Sequence, residues 1–132
     1  HQVWDRLIAL KKRGLTMLLT THYMDEAESL CERLVIMDRG EIIAEGRPRD
    51  LIVEHAAESV IEIESPDSDL KAYMQSQDVR YDDLGERIIL YTESHGSLEQ
   101  DVRTKFCFES CIFRAGNLED VFLRLTGREL RE

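Results

Sequence analysis

The chain lacks the features of a disulfide-rich or membrane-spanning protein. Its three cysteines, Cys31, Cys107 and Cys111, are an odd number with no C-x-x-C spacing, so we expect free, buried thiols in a reducing compartment. No uninterrupted apolar run approaches the ~18 residues that a membrane-spanning helix needs. No secretory signal pattern is present either. We therefore expect a globular protein of the cytoplasm.

Positive charge is also scarce. The 132 residues include 17 Lys and Arg against 27 Asp and Glu, a net charge of −10, and most of the excess lies in residues 55–132. Such a surface repels phosphate backbones, so we expect no nucleic-acid partner. The acidic second half is either a solvated surface or a docking surface for a basic loop. The length and the 42% hydrophobic content allow one ordinary domain or two small ones.

Residues 1–56 predict part of an α/β domain. A helix ends in basic residues at Gly14, and Leu15–Thr20 is apolar or β-branched throughout, which is typical of a strand buried on both faces of a parallel sheet. A second helix follows Tyr23, a hairpin turns at Arg39 and Gly40, and Pro48 opens a short helix. Because this unit lacks strands to flank Leu15–Thr20, we expect the chain to self-associate.

Residues 57–132 predict a second domain with the order β-α-β-β-α-β. This order indicates a ferredoxin-like α+β fold. Asn117 then caps a last amphipathic helix that ends at Gly127. The expected strands are 59–64, 79–83, 87–92 and 108–115, and the helices between them begin near residues 66 and 97.

His22 is the most suggestive candidate for chemistry. It follows the apolar run at its carboxyl end, where ligands bind in open parallel sheets, and an imidazole can donate a hydrogen bond to a phosphate oxygen. Spacing alone favours a histidine that merely ends a strand. Asp25 and Glu26 either orient His22 or interact with the helix dipole, and the second role is the more common.

The region around His22 resembles the end of an ABC-transporter ATPase domain, a P-loop NTPase. The resemblance runs through LLTTHYMDEAE (18–28), LCERLVIMDRGEI (30–42) and EGRP (45–48). In that family the strand leads to the switch histidine of the H-loop. The resemblance implies that His22 contacts the γ-phosphate and the attacking water of ATP in a head-to-tail dimer of two ATPase subunits.

The end of the chain is similar to the C-terminal extension of ATPase subunits of drug-resistance and nodulation-factor exporters. This similarity rests on NLEDVFL (117–123) and LTGR (125–128). It implies a transmembrane permease as a partner, ATP and Mg²⁺ as cofactors of the full-length protein, and a location at the inner face of the cell membrane.

The sequence departs from that family in what it omits. It contains no GxxxxGK[ST] string, which would cradle the phosphates, and no LSGGQ motif. The Walker B strand would lie upstream of His1. We therefore expect a C-terminal part of an ATPase subunit that by itself neither binds ATP tightly nor hydrolyses it, with no cofactor-binding residue beyond His22.

Other readings have less support. A zinc site from His22, His55, His95 and the cysteines matches no zinc spacing, so we expect no metal. Redox switching at Cys107 and Cys111 is unsupported. The alternative from a different class is that the ferredoxin-like unit is a non-catalytic module that dimerises or senses a ligand and so regulates the attached ATPase.

Overall fold

The computed structural model describes residues 2–93, 96–105 and 111–129. Its contacts divide the chain into two units, one of His1–Leu51 with Asn117–Glu132 and one of Ile52–Gly116. The elements in chain order are α1 (Gln2–Lys12), α2 (Met24–Leu30), β1 (Leu34–Asp38), β2 (Glu41–Gly46), α3 (Pro48–His55), β3 (Ser59–Glu64), α4 (Ser68–Ser76), β4 (Tyr81–Asp83), β5 (Arg87–Thr92), α5 (Ser97–Lys105), β6 (Cys111–Ala115) and α6 (Leu118–Thr126).

The first unit contains the hairpin that the sequence predicts. Strands β1 and β2 pair antiparallel, with a register shift between Ile36 and Met37. Arg39 and Gly40 have φ angles of 51° and 79°. Two successive residues with positive φ form the kind of turn whose twist matches that of the flanking strands. Helix α3 begins at Pro48, as expected, because proline suits the first turn of a helix.

The predicted strand at Leu15–Thr20 is wrong. These residues belong to no strand, and Leu15 and Leu18 are 52% and 98% exposed. A β-strand needs a neighbour for its backbone hydrogen bonds. None of the described strands pairs with this segment, so its apolar and β-branched composition does not suffice to make it a strand.

The second unit has a four-stranded antiparallel sheet with the strand order β4-β5-β3-β6. Strands β3 and β5 have the bounds expected from the sequence. Helices α4 and α5 pack on the sheet through a core of Ile61, Ile63, Leu70, Met74, Ile88, Leu90 and Val102. The chain order β-α-β-β-α-β and this strand order are compatible with a ferredoxin-like fold.

Helix α6 has strong signals at both ends. The Asn117 side chain accepts the Asp120 N–H, and the Asp120 carboxylate accepts the Asn117 N–H, which forms a capping box. Gly127 ends the helix with a φ of 75°. These two ends are as predicted. The contacts of α6 group it with the first unit.

The cysteines differ from expectation at one position. Cys31 is free and half-buried, but Cys111 is disulfide-bonded, so the prediction of a free thiol is wrong there. Cysteine count and spacing do not determine which side chains meet in the fold, and this explains the error. Cys107 and the expected strand residues 108–110 lie outside the described residues.

Within the described ranges, no helix combines the length and the apolar character needed to cross a bilayer.

Candidate functional site

His22 lies in a bend between the irregular segment 15–21 and helix α2. Its side chain is exposed, and its ring centroid is 4.2 Å from that of Tyr23, with the ring planes tilted by 34°. The Thr21 hydroxyl accepts the backbone N–H of Tyr23 at 3.0 Å. These local contacts shape the bend and leave the imidazole accessible. An exposed imidazole here can donate a hydrogen bond to an anionic oxygen.

The two acidic residues at the start of α2 have different surroundings. Asp25 is exposed, whereas Glu26 is half-buried and accepts the indole N–H of Trp4 at 3.3 Å. The structure therefore brings Glu26 to helix α1. Both carboxylates lie in the first turn of α2, where negative charge is favoured by the helix dipole.

Helix α2 is short and weakly capped. It has seven residues, none of them buried, and Tyr23 at its N-cap offers no side-chain cap to the first backbone N–H groups. Isolated helices shorter than about 12 residues are marginal in water. The position of α2, and of the bend that precedes it, therefore depends on contacts with its neighbours.

One of these contacts joins α2 to α6. The Glu28 carboxylate accepts the backbone N–H of Leu118 at 3.0 Å, and Leu118 is fully buried at the first position of α6. The first N–H groups of a helix have no partner within the helix, and a carboxylate there also interacts favourably with the dipole. Sequence reasoning missed Glu28, because a glutamate within a short amphipathic helix carries no distinguishing signal.

The other end of α6 contacts the hairpin. The Arg128 guanidinium binds the Asp38 carboxylate at the end of β1, and it lies 5.5 Å from the centre of the Phe122 ring. The buried apolar residues of α6 are Leu118, Val121, Phe122 and Leu123. Helix α6 is thus tied at its first residue to α2 and beyond its last turn to the hairpin.

The charged groups around the end of α2 do not make Cys31 reactive. Burial raises the pKa of the Cys31 thiol, Lys11 opposes this effect, and Glu26 adds to it. Only the thiolate is a strong nucleophile, so this environment favours an inert thiol. Lys11 instead pairs with Glu32 at 2.8 Å, and this hydrogen bond holds the pKa of the Glu32 carboxyl below its usual value.

The described part of the chain contains no cluster of three or more His, Cys, Asp or Glu side chains able to hold a metal ion. His55 lies 3.8 Å from the neighbouring Glu54 in helix α3. His95 lies outside the described residues.

The second unit carries its own polar contacts on the sheet. Glu62 of β3 lies between Arg114 of β6, at 2.9 Å, and Arg87 of β5, at 3.6 Å. The Tyr91 hydroxyl donates to Asp82 at 2.7 Å. Because these groups are already bound to one another, they hold adjacent strands together and do not form an open ligand site.

Two comparisons with known proteins point to the same kind of export protein. Residues 68–127 match the family described as Nodulation factor export protein NodI, C-terminal domain. Proteins named Nod factor export ATP-binding protein I align with the entire chain, at 41% identity in Mesorhizobium japonicum, 43% in Bradyrhizobium diazoefficiens and 41% in Burkholderia thailandensis. The chain spans 39%, 43% and 43% of these relatives. The chain is therefore similar along its whole length to the C-terminal region of Nod factor export ATP-binding proteins, and these matches support a C-terminal part of an ABC ATPase subunit of the NodI type.

Proposed function

We propose that the chain acts as part of an ATP-binding subunit that couples ATP hydrolysis to export across a membrane. The observation that carries this proposal is the match of the entire chain to Nod factor export ATP-binding proteins. In the longer protein, ATP and Mg²⁺ would be bound mainly by residues outside this chain, because no phosphate-binding glycine-rich loop occurs in its sequence.

Within this proposal, His22 is the switch histidine. Its exposed imidazole would donate a hydrogen bond to the γ-phosphate and help to hold the attacking water. Such a bond strengthens as negative charge develops in the transition state, so it accelerates hydrolysis more than it tightens ATP binding. The chain alone, without the phosphate-binding parts, would not turn over ATP.

The proposal also covers partners and location. A second ATP-binding subunit would meet the first head to tail, and a transmembrane permease would bind the pair at the inner face of the membrane, on its cytoplasmic side. We also propose a domain boundary near residue 56, with the end of the ATPase domain before it and a ferredoxin-like accessory domain after it. The exposed segment at Leu15–Thr20 would drive self-association of the separate chain.

The test is ATP hydrolysis by the full-length protein carrying His22→Ala. We expect kcat to fall about 100-fold or more, as for other donors that act on developing charge. His55→Ala is the matched control, because His55 lies in helix α3 beside Glu54. It should change kcat by less than about twofold. Full activity of the His22 variant would refute the proposal.

A second candidate function belongs to the ferredoxin-like unit. Strand β6 is an edge of the four-stranded sheet, and its Ile112 side chain is 49% exposed. An edge strand with an exposed apolar side chain favours pairing with another strand. Deleting residues 57–116 from the full-length protein would test this role. Loss of dimerisation would support it, and an unchanged dimer would contradict it.

A further inference from the structure

We propose that Glu28 is a positioning residue for His22 and that it acts through helix α6. This inference rests on the proposed function of His22. It starts from the hydrogen bond of 3.0 Å between the Glu28 carboxylate and the Leu118 N–H, which joins residues 90 positions apart in the chain.

Helix α6 is the firm partner in this contact. Its capping box, formed by Asn117 and Asp120, fixes the first turn, and Leu118, Val121 and Phe122 are buried. The Leu118 N–H therefore points in a fixed direction. A carboxylate that accepts it forms a charge-assisted hydrogen bond, which is shorter and stronger than one between neutral groups.

Helix α2 is the weak partner. It is seven residues long, it has no side-chain cap, and it buries no residue. Its described polar anchors to other helices are Glu26, which binds Trp4 of α1, and Glu28, which binds α6. Without Glu28, the C-terminal half of α2 has no described polar contact with another helix, so the helix should open more often.

Movement of α2 reaches His22 through Thr21 and Tyr23, the residues on either side of it. The helix begins at Met24, directly after Tyr23, whose carbonyl accepts the Ala27 N–H at 3.2 Å. The Tyr23 N–H binds the Thr21 hydroxyl, and the Tyr23 ring packs on His22. A helix that opens at its first turn therefore releases Tyr23 and with it the imidazole. A donor displaced by about 1 Å loses much of its effect on the rate.

The first measurement does not depend on activity. In the full-length protein, amide hydrogen exchange at Ala27 and Cys31 reports the α2 hydrogen bonds to Tyr23 and Ala27. We expect Glu28→Ala to accelerate exchange at both amides about tenfold. Glu45→Gln is the control, since Glu45 is an exposed glutamate of strand β2. Unchanged exchange in the Glu28 variant would overturn the assignment.

The second measurement is ATP turnover by the same variants. We expect Glu28→Ala to lower kcat about tenfold and to change KM by less than about twofold, because the phosphate-binding parts are untouched. Glu28→Gln keeps an acceptor oxygen, so its kcat should lie between those of the wild type and Glu28→Ala. The glutamine variant also provides a readout if the alanine variant fails to fold. The double variant with Glu28→Ala and His22→Ala should have the same kcat as His22→Ala alone, because both changes remove the same interaction.

The outcomes separate the two proposals. Faster exchange with unchanged kcat in Glu28→Ala, alongside an inactive His22→Ala, would overturn the positioning role and leave the role of His22 intact. Full activity of His22→Ala would overturn the proposed function, and the positioning role with it, whatever the exchange shows.

Discussion

Replacing Gly116 with alanine should destabilise the second unit strongly. An added Cβ would lie 1.9 Å from the backbone oxygen of Ala57, where ordinary contact begins at 3.4 Å, so the two backbones must separate by about 1.5 Å. The Gly116 N–H also donates to the Glu58 carbonyl at 2.9 Å. Overpacking costs ~1–3 kcal/mol and the lost hydrogen bond ~1 kcal/mol, which gives a loss of ~2–4 kcal/mol in the free energy of unfolding.

Urea unfolding of the chain measures this loss. For a slope of ~2 kcal/mol per molar urea, the midpoint should fall by roughly 1–2 M. Gly96→Ala is the matched control, because its Cβ would lie 3.3 Å from the Glu93 carbonyl and needs only a small adjustment. Its free energy of unfolding should change by less than ~1 kcal/mol. Equal midpoints for the two variants would refute the close approach of Gly116 and Ala57.

Three further predictions concern local interactions. Asn117→Ala removes the cap of helix α6 and should cost ~1 kcal/mol in urea unfolding, and no loss would contradict the observed capping box. Met74→Ala opens a cavity in the core of the second unit and should cost ~2–5 kcal/mol, whereas a cost below ~1 kcal/mol would mean that the core is not packed as described. Lys11→Ala should raise the pKa of Glu32, measured by NMR titration, because the lysine holds that pKa low. The Lys11–Glu32 pair therefore contributes to stability above the ordinary carboxyl pKa, and this contribution is lost as pH falls. An effect of Lys11→Ala on stability that does not change with pH would contradict this.

Local signals in the sequence sufficed wherever neighbouring residues decide the structure. The hairpin was predictable because Gly40 readily adopts the positive φ that the turn requires. The ends of α6 were predictable because Asn117 and Gly127 satisfy the terminal backbone groups of their own helix. Strand β3 was predictable because Ser59–Glu64 is a short β-branched run followed by turn residues.

Contacts between distant residues were not predictable. The composition of Leu15–Thr20 favours a strand, but pairing depends on neighbours that no local pattern reveals. The bond between Glu28 and Leu118 and the close approach of Gly116 to Ala57 arise only when distant segments meet in the fold. For the candidate site, the sequence therefore indicated His22 itself but not the helix contacts that hold its loop.

The most direct test of the central claim is a single turnover of ATP by the full-length protein, with binding and γ-phosphate cleavage measured separately. In His22→Ala, we predict that cleavage slows about 100-fold or more while ATP affinity changes by less than about threefold, because the imidazole acts on charge that develops during cleavage. Cleavage at the wild-type rate in His22→Ala would contradict the account.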